Sequence, residues 1–259
     1  MMNSLYIGAT GMHAQQQNVD TIANNLANVN TTGFKKNRVA FTDAYYKMAN
    51  STAPYADETS PPILTGMGTM LSSNSKSFAP GETKRTNAPL DIAIVGNGFL
   101  EIQLPDGSSA YTRHGALQVT SDGILGTIHG YALKQQIQIP AEALEIIIDG
   151  TGKVSARTQD EDTPIELGQI ELTAFANPDG LDPIGENLYV GSQRTGHTVV
   201  AKPGENGLGN VAQGFLESSN VQLAEEMVNL VLAQRAYELN AKIIQASDEM
   251  LSINNNLRR

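Results

Sequence analysis

Leu223, Leu230, Tyr237, Ile244 and Leu251 recur every seven residues in the C-terminal part of the chain. That spacing lays one apolar stripe along a helix. Val228, Leu232, Leu239, Ile243, Ala246, Met250 and Leu257 form a second stripe, which at about 100° per residue falls nearly opposite the first. Arg235, Glu238, Lys242 and Glu249 stand between the two. One neighbour covers one stripe, so a helix with opposed seams needs a partner on each side. No Gly or Pro interrupts the run after Ser219. Ser219 and Gln222 have the spacing of a capping box, and Glu225 and Glu226 suit the positive helix end. The pattern predicts a long helix from about Ser219.

A second heptad series, Leu5, Met12, Val19 and Leu26 with Ile22 and Val29 alongside, predicts a helix over 3–29. Gly8 and Gly11 weaken it by about 1 kcal/mol each relative to Ala. Its polar face is made of amides, among them Gln15, Gln16, Gln17, Asn18, Asn24, Asn25 and Asn28, and Asp20 is the one Asp, Glu, Lys or Arg up to Phe34. Amides donate and accept, which suits close helix packing or a wet passage better than an ordinary solvated face. Gly33 is placed to cap the helix, and Lys35, Lys36 and Arg38 complement its negative end.

Between the helices the pattern changes. Residues 45–77 are polar, with Pro54, Pro61, Pro62, Gly66 and Gly68. They read either as disordered or as an extended arm ordered by neighbours, and Ile63, Leu64, Met67, Met70 and Leu71 favour the arm. From Leu90 to about Asn210 short apolar runs alternate with turn dipeptides. Phe99–Leu104 and Ser109–Arg113 flank Pro105-Asp106-Gly107, a hairpin signal, and Glu145–Ile148 and Gln169–Phe175 have the look of buried strands. A small sandwich or barrel is expected. The fold class is α+β: paired N- and C-terminal helices forming a coiled-coil-like stalk, an extended arm and an inserted all-β domain. The expected partition is 1–33 plus 218–259 for the helical core, 34–89 for the arm and 90–217 for the β-rich outer domain.

Composition narrows function. With 40% hydrophobic residues the chain can bury a core, and its net charge of −10 argues against nucleic acid, which calls for a basic face. Cysteine is absent, which removes disulfides, thiolate catalysis and Cys-ligated metals. No run of eighteen apolar residues suggests a membrane span, and no basic n-region followed by an apolar stretch suggests a secretory signal. His13, His114, His129 and His197 are scattered without metal-ligand spacing. Gly96-Asn97-Gly98 is followed by a strand where a dinucleotide fingerprint needs a helix. Asp160-Glu161-Asp162 lacks the ligand alternation of a calcium loop. No catalytic, cofactor or metal site is expected.

Longer motifs carry a resemblance. The stretch from Ile22 to Lys35, Ile-Ala-Asn-Asn-Leu-Ala-Asn-Val-Asn-Thr-Thr-Gly-Phe-Lys, resembles the N-terminal signature of bacterial flagellar rod and hook proteins. Gln213-Gly214-Phe215-Leu216-Glu217, Ser219-Asn220-Val221, Glu225-Glu226-Met227-Val228, Gln234-Arg235-Ala236-Tyr237 and Asp248-Glu249-Met250-Leu251 resemble the C-terminal one. Ala110-Tyr111-Thr112-Arg113 and Gly185-Glu186-Asn187-Leu188-Tyr189 look most like the distal-rod branch. The resemblance implies a structural, non-catalytic subunit of the distal rod, with a hook or proximal-rod subunit as the alternative. It implies export through the flagellar type III apparatus without a cleaved signal, and polymerisation into a hollow shaft crossing the periplasm. Implied partners are further copies of the chain, proximal rod proteins, the hook protein and the ring bushing around the rod, with no nucleic acid and no membrane insertion. The expected self-assembly residues are Leu5, Met12, Val19, Ile22, Leu26, Val29, Leu223, Leu230, Leu232, Tyr237, Leu239, Ile243, Ile244, Met250 and Leu251. The motif positions are Asn24, Asn25, Asn28, Gly33, Phe34, Ser219, Asn220, Gln234 and Arg235.

Overall fold

A computed structural model describes residues 2–49, 63–158 and 163–257. The chain is α+β, with α1 (Met2–Ala27) and α2 (Leu223–Asn256) separated in sequence by a long series of strands. It divides into two compact units: residues 1–27, 37–75 and 222–259 in the first, and 28–36 and 76–221 in the second. These lines differ from the sequence partition. Residues 28–36 and 76–89 group with the β-rich unit, and most of the arm groups with the helices.

In the first unit α1 and α2 pack on each other. They run antiparallel, since Gly8 faces Ile244, Gly11 faces Asn240 and Asn25 bonds Glu226. The buried positions of α2 are Glu226, Ala233 and Ser247, with Leu230, Asn240, Ile244 and Leu251 half-buried. A Cβ on Gly8 would lie 2.8 Å from Ile244 Cγ1, and one on Gly11 would lie 2.9 Å from Asn240 Nδ2. The two glycines that weaken an isolated helix therefore set how closely the helices approach. Gly8→Val is expected to pry the seam apart and cost about 1–3 kcal/mol, read as a lower midpoint in helix-monitored thermal unfolding. Gly8→Ala should cost less than Val, because its Cβ still forces a shift of Ile244 Cγ1 from 2.8 Å while Ala returns about 1 kcal/mol of helix propensity.

Helix boundaries correct three expectations. Gln222 occupies the N-cap of α2 without a side-chain capping bond. Ser219 Oγ instead accepts from Val221 N–H at 3.3 Å, so the capping box does not form. Val29 lies past the end of α1 in a turn and cannot extend its seam. Gly33, six residues beyond the helix, is no C-cap.

The arm is a β-ribbon in its described part. Strand Asn37–Asp43 pairs with Thr69–Lys76, and Tyr46–Ala49 pairs antiparallel with Ile63–Gly66. Ala44 N–H donates to Gly68 O at 2.9 Å and Met67 N–H to Tyr45 O at 3.1 Å, which joins the two ladders. Gly68 has φ +99°, and a Cβ there would collide with Thr10 Oγ1 of α1. A two-stranded ribbon is marginal in water by itself; here it lies along α1. Pro54, Pro61 and Pro62 fall outside the described residues.

The second unit is built on an antiparallel six-stranded sheet. Its spatial order is Asp182–Gly185, Leu188–Val190, Ser109–Thr112, Phe99–Gln103, Leu172–Phe175 and Thr198–Ala201. A three-stranded sheet (Ala143–Ile148, Lys153–Thr158, Ile165–Gln169) and smaller ladders complete it, so among the described residues the strands form several open sheets and no closed barrel. Leu100, Ile102, Leu125, Leu133, Val154, Ile170 and Leu172 are fully buried in one core. Phe78, Phe99 and Tyr189 form an aromatic cluster with edge-to-face pairs at 5.1 and 5.2 Å. The Pro105-Asp106-Gly107 turn does join its two strands, with Gln103 opposite Ser109. Gln169–Phe175 is not one strand: Gln169 ends one and Leu172 begins another in a different sheet. In Ala143–Ile148 only Ile148 is buried.

Candidate functional site

The second apolar stripe of α2 is uncovered. Leu232 is 62% exposed, Leu239 60%, Ile243 48% and Met250 50%. Leu223, Met227, Val228, Val231, Tyr237 and Ile253 are also exposed. The expected assembly residues thus separate into two sets. Leu5, Met12, Val19, Ile22 and Leu26 on α1, and Leu230, Ile244 and Leu251 on α2, are half-buried or buried. Leu223, Leu232, Tyr237, Leu239, Ile243 and Met250 are open to a partner. A soluble monomer seldom exposes so long a row of large apolar side chains, and such a row marks an interaction surface. No described helix is long and apolar enough to cross a membrane. Among the described residues no three His, Asp or Glu are grouped to hold a metal.

In the second unit the motif residues build a buried charge cluster. The Glu217 carboxylate, 2% exposed, accepts from Lys35 Nζ at 2.6 Å, Arg113 Nε at 2.9 Å and the Gly81 N–H at 2.7 Å. Lys35, 0% exposed, also donates to Ala79 O at 2.7 Å. Arg113 Nη2 donates to Gly96 O at 2.7 Å and Ile94 O at 3.3 Å. Every charge there has partners, the condition for tolerating burial. Lys35 was expected to complement a helix dipole; instead it is a core ion.

Burial first, and then the nearby Arg113 guanidinium, push the Lys35 ammonium below the usual lysine range, with Glu217 pulling back. A folded-state value below the unfolded one means the unfolded chain binds the proton more tightly. Stability from this group therefore climbs as pH rises from the lowered value toward about 10.4. Burial lowers Lys76 as well, so the climb is shared. Between pH 8 and pH 10 the gain in urea midpoint should be smaller in Lys35→Met than in the unaltered chain.

Other motif positions serve as clasps. Gly33 has φ +69° and donates its N–H to Glu217 O at 2.8 Å; a Cβ there would lie 3.0 Å from His114 backbone. Phe34 is buried under Lys76 Nζ, 4.9 Å from its ring. Asn220 Oδ1 accepts from Lys36 N–H at 2.8 Å, while its Nδ2 donates to Ser77 O at 2.8 Å and Ala79 O at 3.1 Å. In the first unit Asn25, 2% exposed, accepts from Asn37 N–H at 2.8 Å and donates to Asn37 O at 3.0 Å and Glu226 Oε2 at 3.2 Å. Asn28 Oδ1 accepts from Thr31 Oγ1 at 3.1 Å and Asn24 Oδ1 from Asn37 Nδ2 at 3.5 Å. Gln234 and Arg235 are exposed on α2, Arg235 Nη1 lying 2.9 Å from Glu238 Oε2. The sequence pattern does not single out Glu217 or Arg113, although each lies inside a family-like motif, and it gives Lys35 only a helix-end role.

Family models match three stretches of the chain. Residues 5–35 match the flagella basal body rod protein model. Residues 93–156 match the flagellar hook protein FlgE/F/G D1 domain, and 212–257 the flagellar basal body rod FlgEFG protein C-terminal model. The chain is 47% identical over 264 residues to flagellar basal-body rod protein FlgG of Borreliella burgdorferi, covering 100% of both chains. It is 40% identical over 275 residues to the protein of that name in Bacillus subtilis, again covering 100% of both. To the flagellar hook-basal body complex protein FlhP of Bacillus subtilis it is 30% identical over 275 residues, with 100% of both covered. Full-length agreement at these identities, together with motif residues that lock the two ends of the β-rich unit, establishes that the chain belongs to the flagellar basal-body rod protein family.

Proposed function

We propose that the chain is the structural subunit of the distal rod, polymerising into a rigid hollow shaft that carries torque from motor to hook around the export channel. The role is mechanical, not catalytic. The observation that carries it is the open row Leu232, Leu239, Ile243 and Met250 on a helix whose other face is already covered by α1. Each such side chain contributes roughly 1.5–3 kcal/mol when it becomes buried. A surface that joins copies head to tail without closing generates a helical tube.

In this reading α1 and α2 form a coiled-coil-like stalk in the inner layer and the β-rich unit forms the outer one. The ends of the shaft meet proximal rod proteins and the hook protein, and the ring bushing surrounds it. The subunit reaches the periplasm through the flagellar type III apparatus. Greater identity to proteins named FlgG than to FlhP favours the distal rod over a hook or proximal-rod role. Purified subunit is expected to form straight hollow tubes visible by electron microscopy. Curved tubes would point to a hook role, and persistent monomers at high concentration would remove the shaft.

A further inference from the structure

A groove of about 460 Å³ runs along α1 within the first unit. Tyr6, Ala9, His13 and Gln17 line it from the helix, and Met70 and Leu71 from the ribbon. Its floor is small and its lining carries no carboxylate, ammonium or guanidinium group. Tyr6, Ala9, His13 and the next turn's Asp20 are exposed. This is the form that receives an amphipathic helix through anchors spaced along one face.

We infer that the occupant is the outer face of α2 from a second copy, lying antiparallel to α1. The spacing of side chains on the two helices gives the register. Tyr6, His13, Gln17 and Asp20 on α1 are separated by seven, four and three residues. Met250, Ile243, Leu239 and Arg235 on α2 are separated by seven, four and four. Set against each other, Met250 meets Tyr6, Ile243 meets His13, Leu239 meets Gln17, and the Arg235 guanidinium reaches the Asp20 carboxylate. Asp20 is the sole carboxylate of α1, and Arg235 lies beside the outer apolar stripe of α2, where its exposed guanidinium exchanges or shares its surface pairing with Glu238, so the charges match only near this alignment. Direction agrees too. α1 and α2 are antiparallel within one chain, so in an assembly whose copies all point one way, a neighbour's α2 is antiparallel to α1 as well.

The inference rests on the polymer proposed above and specifies which faces meet. The chain has no cysteine, so two variants with one cysteine each, His13→Cys and Ile243→Cys, can be mixed, assembled and oxidised. No disulfide within a chain is then possible. A cross-linked dimer containing one of each variant is expected, at a yield at least tenfold above His13→Cys mixed with Leu232→Cys, which lies about 16 Å further along the helix. Equal yields from the two mixtures, or dimers from a single variant assembled alone, would overturn the register.

Should a cysteine variant not assemble, charge reversal carries the test. Asp20→Arg and Arg235→Asp each raise the concentration needed for assembly about tenfold, and combining them restores it; no restoration sinks the pairing. Tubes that form but cross-link elsewhere refute the groove alone, whereas absence of tubes from the unaltered chain refutes the shaft.

Discussion

Leu239→Asp is expected to raise the concentration required for assembly by at least 100-fold while leaving unfolding of the monomer unchanged. Leu239 is 60% exposed in the single chain, so the substitution removes little from the fold. In the proposed polymer the same position becomes buried. Losing an apolar contact forfeits roughly 1.5–3 kcal/mol, and placing an unpaired carboxylate in an apolar groove adds a desolvation cost on top. A tenfold change corresponds to about 1.4 kcal/mol, so two decades is a modest expectation. Sedimentation of assembled material against total protein reads the effect, with thermal unfolding of the soluble fraction as control. Ile244→Asp supplies the contrast. Ile244 is half-buried and packs over Gly8, so that change should disturb the helix pair inside a single subunit. Equal assembly by Leu239→Asp and the unaltered chain would show that the outer row is not a contact surface.

Glu217→Ala is expected to destabilise the β-rich unit by about 3–5 kcal/mol, the cost of leaving buried charge without its partner. Two cations lose their common acceptor at once, because Lys35 and Arg113 both bond this carboxylate. The Gly81 N–H also loses its acceptor. Glu217→Gln keeps the shape and one acceptor oxygen but not the charge, and should fall between. Urea unfolding followed by a signal from the sheet, such as near-ultraviolet absorption of Tyr111 and Tyr189, reads the loss. A change below about 1 kcal/mol, the range of an exposed ion pair, would mean that water reaches the cluster.

Periodicity made the helices legible, including the opposed stripes of α2, because heptad spacing reports which side chains share a face irrespective of what covers them. It could not say which stripe the chain covers for itself. That choice was made by Gly8, Gly11, Ala233 and Ser247, residues whose small size lets backbones approach and which add nothing to an apolar pattern. The turn dipeptides located hairpins well, since Gly107 and Gly123 have positive φ of +83° and +74° that their turns require. Strand burial was less legible. Ile146 and Ile147 are half-buried in a three-stranded sheet, and apolar character alone does not distinguish that from a core position.

The Lys35–Glu217–Arg113 cluster was invisible for another reason. Lys35 and Glu217 are 182 residues apart, and no local pattern pairs charges over such a span. Lys35 was assigned to the end of α1 because it follows that helix in sequence, whereas burial and hydrogen bonding place it in the core of the β-rich unit.

The glycine, alanine, serine and asparagine contact between α1 and α2 has a mechanical consequence. Small teeth let the two rods close up on each other, while Leu230, Ile244 and Leu251 stay only half covered. The stickier leucine and isoleucine edge waits for company. In the proposed shaft, firmness is then added by the crowd to what the individual already holds.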